Sequence, residues 1–394
     1  MPLSRGQTPT PTPTREEQIE AARDAKEKAV ASSDTRRFEQ KLLDLENNRW
    51  VQLVNGAEGF HVRVGGMRGV GSGFSLGPAY QRSDLWGERL TFSTSARASL
   101  HHWYQGDMQL AMPKLWQERA SVELNLQYSN LGGLGYYGQG PDSRKEDRTS
   151  YGFEEARVDF RPALHVTRRL SAGGVGGFRA INVGAARSGS YPSSEQLFNA
   201  TTAPGLFQQG DLWTAGGFAK YDNRDSAGHP TSGGQYRVQY TRSSDGDSRR
   251  YGFDQTDLLV QHFIPFFNHK RVIALQGVST LTSAHSDQVV PFYLQPTVGG
   301  PNYLRGFQAY RFTGNNIVAF NAEYRWEAAS FLEMALFADA GKVFQRQSQW
   351  NIHGMERSYG FGFRFKMQNT PIFRIDTGFS REGFQIWLRS GSSF

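Results

Sequence analysis

Apolar and polar side chains alternate along most of this sequence, and this period of two constrains the fold more than any other feature. It is clearest in SVELNLQYSN (121–130), NNIVAFNAEYRW (315–326), YGFGFRFK (359–366) and IFRIDTGF (372–379). Successive side chains of a β-strand point to opposite faces of a sheet, so each stretch predicts a strand with one apolar and one polar face. The chain is therefore expected to be all-β from about residue 59 onwards.

Both a soluble β-sandwich and a membrane barrel show this alternation. Aromatic residues make up 13% of the chain, and they dominate the apolar faces near strand ends, as the aromatic girdles of transmembrane barrels do. The opposite faces carry charged residues and glycines, which a wet lumen accommodates. The sequence contains no run of about 20 apolar residues, which a transmembrane helix needs. We therefore favour a barrel, because closure of the sheet satisfies every backbone group in lipid.

Sixteen segments have the character of strands, an even number that is typical of bacterial outer-membrane barrels. Long loops are expected at 130–150, 185–212 and 284–314. These observations predict a 16-stranded antiparallel transmembrane β-barrel over residues 59–394. The predicted strand centres lie near residues 63, 77, 95, 108, 124, 157, 176, 217, 239, 257, 276, 320, 337, 362, 376 and 388.

The sequence before the barrel has a different composition. Residues 1–14 contain QTPTPTPT and are expected to form a disordered, low-complexity leader. Residues 15–58 are rich in Glu, Lys, Ala and Arg, which predicts a polar helical extension on the periplasmic side. A flexible, helix-prone leader is the alternative. Residues 1–40 show no basic start followed by an apolar core, so no secretory signal peptide is visible in them.

Composition also excludes several kinds of chemistry. The chain has no cysteine, which rules out disulfides, zinc–thiolate sites and thiol nucleophiles. The formal charge is +7, but basic and acidic residues are interleaved, so no nucleic-acid partner is expected. No further metal ligand accompanies His101, His102 and Asp107, and His229 lies in a turn. We predict no enzyme activity, no metal site and no cofactor.

Four internal motifs and the C-terminus stand out in the second half of the chain. The motifs are LRGF (304–307), NAEYRW (321–326), FADAGKVF (337–344) and YDNRDSAGHPTSGGQYRV (221–238), and the chain ends in Phe394. In this order and spacing, the set resembles the bacterial surface-antigen superfamily of outer-membrane barrels, the BamA/TamA type and their two-partner-secretion relatives. The resemblance is good over 215–394 and extends plausibly back to 59.

The resemblance implies a role for each motif. The loop between the eleventh and twelfth strands would fold back into the lumen, where Arg305 would reach the carboxylates of Glu323 and Asp339. The polar face that Glu323 shares with Asn321 and Arg325 is consistent with this. Gly306 would let the loop backbone approach the barrel wall closely. The implied loop-docking motif is Leu304, Arg305, Gly306 and Phe307, and the implied strand-turn motif is Asp222, Arg224, Asp225, Pro230 and Gly233.

The sequence also departs from the family pattern. The 58 residues before the barrel are too few for a POTRA domain, and Ser390 and Ser392 replace apolar residues of the usual C-terminal signal. We expect the C-terminal barrel signal to comprise Phe384, Ile386, Leu388 and Phe394.

The resemblance implies a barrel in the bacterial outer membrane that assists the insertion or translocation of proteins or lipids. Its expected partners are outer-membrane lipid, outer-membrane or secreted protein clients and a separate periplasmic protein. The alternatives are a passive pore or structural barrel paired with a periplasmic partner, and a soluble sandwich.

Overall fold

A computed structural model of the chain describes two compact units, residues 1–53 and 54–394. In the first unit it describes only Arg15 and Gln18, both helical. In the second it describes residues 58–65, 67, 75–187, 190–246, 248–267, 270–367 and 370–390. The predicted leader (1–14), most of the predicted extension (15–58) and Phe394 therefore lie outside the described residues.

Strands dominate the second unit. All except β12 and β13 form one 16-stranded antiparallel sheet in which each strand pairs with the strands next to it in the chain. The strands are β1 (Gly59–Gly65), β2 (Ser75–Asp84), β3 (Leu90–Ser99), β4 (Tyr104–Leu115), β5 (Ala120–Tyr136), β6 (Thr149–His165), β7 (Leu170–Ala185), β8 (Leu212–Asp222), β9 (Gly233–Asp245), β10 (Gly252–Phe266), β11 (Arg271–Ala284), β12 (Thr297–Val298), β13 (Phe312–Thr313), β14 (Asn316–Ala329), β15 (Leu332–Phe344), β16 (Glu356–Met367), β17 (Thr370–Ser380) and β18 (Gly383–Ser390).

In the described part of the second unit, helical elements are few and short. The helices are α1 (Leu85–Glu88) and α2 (Ser194–Leu197), with 3-10 turns at Phe292–Leu294 and Gln347–Gln349. Within the described parts of the chain, no helix is long and apolar enough to cross a membrane.

The sixteen predicted strand centres all fall inside strands of the large sheet, so the predicted 16-stranded barrel is confirmed. Side-chain exposure alternates as the sequence predicts. On β14, for example, Asn321, Glu323 and Arg325 are buried, whereas Phe320 and Ala322 are exposed on the outer, lipid-facing side. The polar faces therefore line the lumen.

The expected loop at 130–150 is too long. β5 continues to Tyr136 and β6 begins at Thr149, so only residues 137–148 connect them. The glycine-rich sequence NLGGLGY at the end of β5 lacks the alternation that marks a membrane strand. It nevertheless pairs with β6, and its Leu131, Leu134 and Tyr136 pack into an apolar cluster inside the barrel.

The connections differ between the two ends of the barrel. We call the end that carries residues 137–148, 186–211 and 285–315 the loop side, and the opposite end the turn side. Among the described residues, β1 and β18 contact each other, but no hydrogen-bonded ladder joins them. We call this boundary the seam.

Candidate functional site

The loop between β11 and β14 folds into the lumen and carries the LRGF motif. Gly299 and Gly300 have φ angles of 123° and 86°, a left-handed region that favours glycine and turns the chain inward. Leu304 and Phe307 are completely buried. Phe307 packs edge-on against Phe312, with 5.3 Å between the ring centroids. These apolar anchors fix the backbone on either side of Arg305, and we call residues 299–315 the docked loop.

Arg305 makes a two-sided fork between β14 and β15. Its Nη2 lies 2.6 Å from Oδ1 of Asp339, and its Nε lies 3.1 Å from Oδ2 of the same carboxylate. Its Nη1 donates to Oε1 of Glu323. The guanidinium also lies 3.5 Å from the centroid of the Phe337 ring. Arg305 is only 2% exposed, so the ion pairs form away from bulk water, where charge-assisted hydrogen bonds are strong.

The electrostatics keep Arg305 charged. Burial lowers the pKa of its guanidinium, but the carboxylates of Glu323 and Asp339 outweigh burial and raise the net pKa above its ordinary value. The carboxylates are held from other sides as well. Asn321 Nδ2 donates to Asp339 at 2.9 Å, and Ser358 Oγ donates to it at 3.0 Å. The site is therefore organised around two carboxylates with a full set of donors.

Glu323 connects the docked loop to further buried charges. Arg325 Nε lies 2.7 Å and Arg364 Nη2 lies 2.9 Å from Oε2 of Glu323. Arg364 Nε also lies 3.6 Å from Oε1 of Glu333, near the turn-side end of β15. The inward position of Arg364 was visible in the sequence, but its pairing with Glu323 depends on the strand register and was not predicted.

Gly306 sits where the docked loop presses against the barrel wall. A Cβ on Gly306 would stand 2.5 Å from the carbonyl oxygen of Phe379. A Cβ on Gly378 of β17 would likewise stand 2.4 Å from the carbonyl carbon of Arg305. Any side chain at either position would force the two backbones apart. The LRGF motif predicted the small residue at 306, but nothing local in the sequence marked its counterpart at 378.

The final hairpin, β17–β18, holds the docked loop through hydrogen bonds to loop carbonyls. Trp387 Nε1 donates to the Arg305 carbonyl at 2.7 Å. Arg389 Nη1 donates to the Pro301 carbonyl at 2.9 Å, and Ser380 Oγ donates to the Gly306 carbonyl at 2.7 Å. The strand beside the seam is therefore attached to the loop from inside the barrel.

The same hairpin is tied to the loop on the loop side. Nε of Arg311 lies 3.0 Å from both carboxylate oxygens of Glu382, in the turn between β17 and β18. The Arg311 guanidinium also donates to the Ser143 carbonyl at 2.7 Å. Lys145 Nζ donates to the Glu382 carbonyl at 3.0 Å. Two loops and the last turn thus meet at one buried arginine.

The strand-turn motif forms the longest connection on the turn side, residues 223–232. Asp222 pairs with Arg224 through two contacts of 2.9 Å. Asp225 accepts a hydrogen bond of 3.0 Å from the Thr231 backbone N–H. Gly233 has a φ angle of 83°, and a Cβ there would stand 2.2 Å from the Asn223 carbonyl oxygen. The motif thus shapes the turn, with Pro230 buried within it.

His229 joins this turn to the charges around the docked loop. Its Nε2 lies 3.1 Å from Oε2 of Glu333 on β15, although β10, β11 and β14 lie between β9 and β15 in the sheet. Glu333 in turn neighbours Arg364. No local pattern in the sequence marks this contact, because His229 occupies a variable position of the motif and its partner is 104 residues away.

Two further regions complete the interior. On the loop side, Tyr136 and Tyr151 pack against Phe292 with ring-centroid distances of 4.7 and 4.8 Å. They belong to an apolar cluster contributed by β5, β6, β7 and the long loops, which we call the aromatic cap. Next to β1, β3, β4, β5 and β6 lies a polar cavity of about 630 Å³, lined by side chains such as Arg97, Asp107 and Arg157.

Other candidate residues lie elsewhere. Phe384, Ile386 and Leu388 are exposed on the outer face of β18, and Phe394 is outside the described residues. Across the described part of the chain, no group of three or more His, Cys, Asp or Glu side chains is arranged to hold a metal ion.

Comparison with known proteins identifies the family. The Omp85 superfamily domain matches residues 86–383. BamA from Haemophilus ducreyi lacking POTRA domains 1–3 has a similar structure, with a TM-score of 0.63 and 16% identity, over 86% of this chain and 70% of that one. CdiB from Escherichia coli has a TM-score of 0.58 and 13% identity, over 84% of this chain and 62% of that one. Curated protein sequences give no significant match.

At such low identities the structural likeness shows the fold, whereas the domain match covers most of the chain and shows the family. The resemblance inferred from the motifs is thereby confirmed. This chain belongs to the Omp85 superfamily and is an outer-membrane β-barrel protein.

Proposed function

We propose that this protein assists the insertion or translocation of proteins or lipids at the outer membrane. The seam is the single observation that carries the proposal. Every other pair of neighbouring strands in the 16-stranded sheet forms a ladder, whereas the described residues of β1 and β18 contact each other without one. Unpaired backbone groups in lipid are costly, so a strand from a client protein that pairs with either edge would be stabilised.

In this mechanism the docked loop maintains the shape of the barrel while the seam opens. Leu304, Arg305, Gly306 and Phe307 form the docking motif, and Glu323 and Asp339 are the acceptors. Trp387 attaches β18 to the Arg305 carbonyl, so the edge strand keeps a lumenal support when its outer edge is free. No catalytic step and no cofactor form part of this proposal.

The remaining assignments are also proposals. Residues 15–58 form a periplasmic extension before a barrel domain at 59–394, and a separate periplasmic protein supplies client recruitment. The turn motif with Asp222, Arg224, Asp225, Pro230 and Gly233 shapes the turn side. The outer face with Phe384, Ile386 and Leu388, followed by Phe394, is the signal that outer-membrane assembly recognises.

Deletion of the gene in the source bacterium tests the function. Outer-membrane proteins and lipids are quantified in the deletion strain and after complementation with the wild-type chain. We expect a specific set of proteins or lipids to fall and to recover on complementation. An unchanged profile would contradict the proposal.

Pairs of introduced cysteines test the seam itself. Because the chain has no natural cysteine, only the introduced pair can form a disulfide. One cysteine is placed in 59–65 and one in 383–390, and each pair is oxidised. A pair that cross-links should abolish complementation until a reductant is added. The matched control is a cross-link between β8 and β9, for example at Phe218 and Gln239, which are directly paired. Full complementation by a cross-linked seam would exclude this mechanism.

A passive pore is the second candidate. The polar cavity of about 630 Å³ beside β1–β6 favours it, because a wet passage is what a pore requires. The aromatic cap opposes it, since buried apolar side chains fill the loop side. A steady, large single-channel conductance, together with an unchanged protein profile and reduced solute uptake on deletion, would identify a pore.

A further inference from the structure

The outer wall of the barrel carries a groove of about 800 Å³ that the proposed function does not use. Its floor consists of small outward residues on three adjacent strands: Gly277 on β11, Ala322 on β14, and Ala338 and Ala340 on β15. Ala322 and Ala338 are directly paired across β14 and β15. The groove is deep because these side chains stop at Cβ or lack one, whereas the surrounding outward residues are large.

Large apolar side chains form the walls. Leu258 and Val260 of β10 stand on one side, and Tyr359 of β16 stands on the other, where it pairs with Ala338. Phe320 lies across the floor at Gly277, and a Cβ on that glycine would stand 3.4 Å from the Phe320 ring. All four of these side chains are more than a third exposed, as is expected of residues that face lipid. The shape and chemistry suit an acyl chain that lies along the wall.

The loop-side end of the groove is positively charged. Arg357 pairs with Ala340 one step further towards the loop side than Tyr359, and it is exposed. Among the described residues, no carboxylate lies within salt-bridge distance of Arg357. Lys342, two residues beyond Ala340, donates only to neutral oxygens among the described residues: the Asn351 side chain at 2.5 Å, the His353 carbonyl at 3.1 Å and the Gln349 carbonyl at 3.5 Å. Neither cation therefore has a carboxylate partner among the described residues.

The half-exposed aromatic rings nearby indicate the depth of this end in the membrane. Trp350 overhangs it, with Nε1 donating to Ser279 Oγ at 3.3 Å, and Tyr359 stands beside it. Trp and Tyr favour the level of the lipid headgroups. We therefore expect Arg357 to lie at the height of lipid phosphates, with the apolar floor extending into the hydrocarbon.

We propose that this groove binds one anionic, phosphate-bearing lipid, with an acyl chain on the alanine and glycine floor and the phosphate on Arg357. The acyl chain alone supplies little selectivity, because bulk lipid is as apolar as the groove and the two differ only in how they pack against the chain. The headgroup supplies it, because a guanidinium forms charge-assisted, bidentate hydrogen bonds with phosphate. A zwitterionic lipid is disfavoured, since the described surroundings offer its ammonium no carboxylate partner.

The test uses the full chain in lipid nanodiscs, with a phosphatidylglycerol probe that carries a diazirine near the end of one acyl chain. After illumination, cross-linked peptides are mapped by mass spectrometry. We expect cross-links to concentrate in 258–284 and 316–344. Unlabelled phosphatidylglycerol should compete with the probe, and phosphatidylcholine should compete poorly. Cross-links spread evenly around the barrel would overturn the proposal.

Two variants and their matched controls separate the two halves of the site. Ala338→Phe fills the floor and should remove most of the cross-linking there, whereas Ala156→Phe, at an exposed position on β6, should not. Arg357→Gln should weaken competition by phosphatidylglycerol roughly tenfold, the effect of losing one hydrogen bond to a charged group. Arg168→Gln, at an exposed turn, should leave it unchanged.

The controls also make failure informative. Heat-modifiable gel migration shows that each variant is folded. A diacylglycerol probe, which lacks phosphate, should respond to Ala338→Phe but not to Arg357→Gln. If phosphatidylglycerol behaves in the same way as diacylglycerol, the headgroup is not recognised and the proposed ligand class is wrong. The outcome is independent of whether the protein inserts clients, because the seam plays no part in it.

Discussion

The two sides of the lumen use charged side chains in different ways. Beside β14–β18, Arg305 is 2% exposed and both of its carboxylate partners are fully buried. Beside β1–β6, Arg157 pairs with Asp159 at 2.5 Å, but both side chains are 17% exposed and line the polar cavity. The contact distances are similar, so the environment is what differs.

This difference in burial decides which ion pairs the fold depends on. A buried charge that loses its partner cannot be rescued by water, so breaking the pair is costly. A hydrated pair exchanges its partner for water at little cost. The docked side should therefore behave as a rigid core, whereas the cavity side tolerates substitution.

The sharpest test of this contrast compares Arg305→Ala with Arg157→Ala. We expect Arg305→Ala to lower the free energy of unfolding by about 3–5 kcal/mol, because Asp339 and Glu323 keep their buried charge. Arg157→Ala should cost markedly less, because Asp159 borders the polar cavity, where water can replace its partner. Urea unfolding in detergent micelles measures both. Equal effects would mean that burial does not distinguish the two sides.

Glycine substitutions probe the packing of the same two sides. Gly306→Ala should cost about 1–3 kcal/mol, because the new Cβ overlaps the Phe379 carbonyl and forces the docked loop away from β17. Gly106→Ala on β4 has nothing within 4 Å of its Cβ position and should be nearly neutral. The measurement is again urea unfolding, with heat-modifiable migration as a second readout. A neutral Gly306→Ala would contradict the close docking.

A smaller effect is expected at the final hairpin. Trp387→Phe keeps an aromatic ring but removes the N–H that donates to the Arg305 carbonyl. The loss should be about 1 kcal/mol, the net value of one hydrogen bond. In a double-mutant cycle with Arg305→Ala, the two effects should not add, since both act on the docked loop. Strict additivity would show that Trp387 acts independently of the loop.

The smallest predicted effect concerns pH at the turn side. Burial raises the pKa of Asp225, but hydrogen bonds led by those from Thr231 outweigh burial and lower the net pKa. A lowered pKa stabilises the folded protein at pH values above the ordinary pKa of an aspartate, about 3.9. That stability is lost as the pH falls through the pKa of Asp225 in the folded state. Asp225→Asn should cost less than about 1 kcal/mol at pH 7, since water screens this exposed carboxyl. The difference from wild type should shrink as the pH falls below about 3.9; a constant difference would contradict this account.

The sequence predicted the strands well because their signal is local. Alternation in 315–326 assigned Glu323 to the lumen without knowledge of its neighbours. The contacts that define the site are not local. Gly378 lies against Gly306, and Arg364 contacts Glu323. Both contacts depend on the register of β14–β17, which places these residues at the same height in the barrel. His229 reaches Glu333 across the lumen, which no periodicity reports. The family resemblance supplied Asp339 as a partner of Arg305, which the tetrapeptide alone did not.

The bonds to the docked loop also imply an order of folding. Arg305 is separated from Glu323 by 18 residues and from Asp339 by 34, but from Trp387 by 82. Contacts between distant residues close later, because they require more of the chain to be in place. The arginine can therefore find its carboxylates soon after β14 and β15 form, and only the arrival of the last strand completes its surroundings. The docked loop therefore gains its full set of contacts only when the last strand of the barrel has formed.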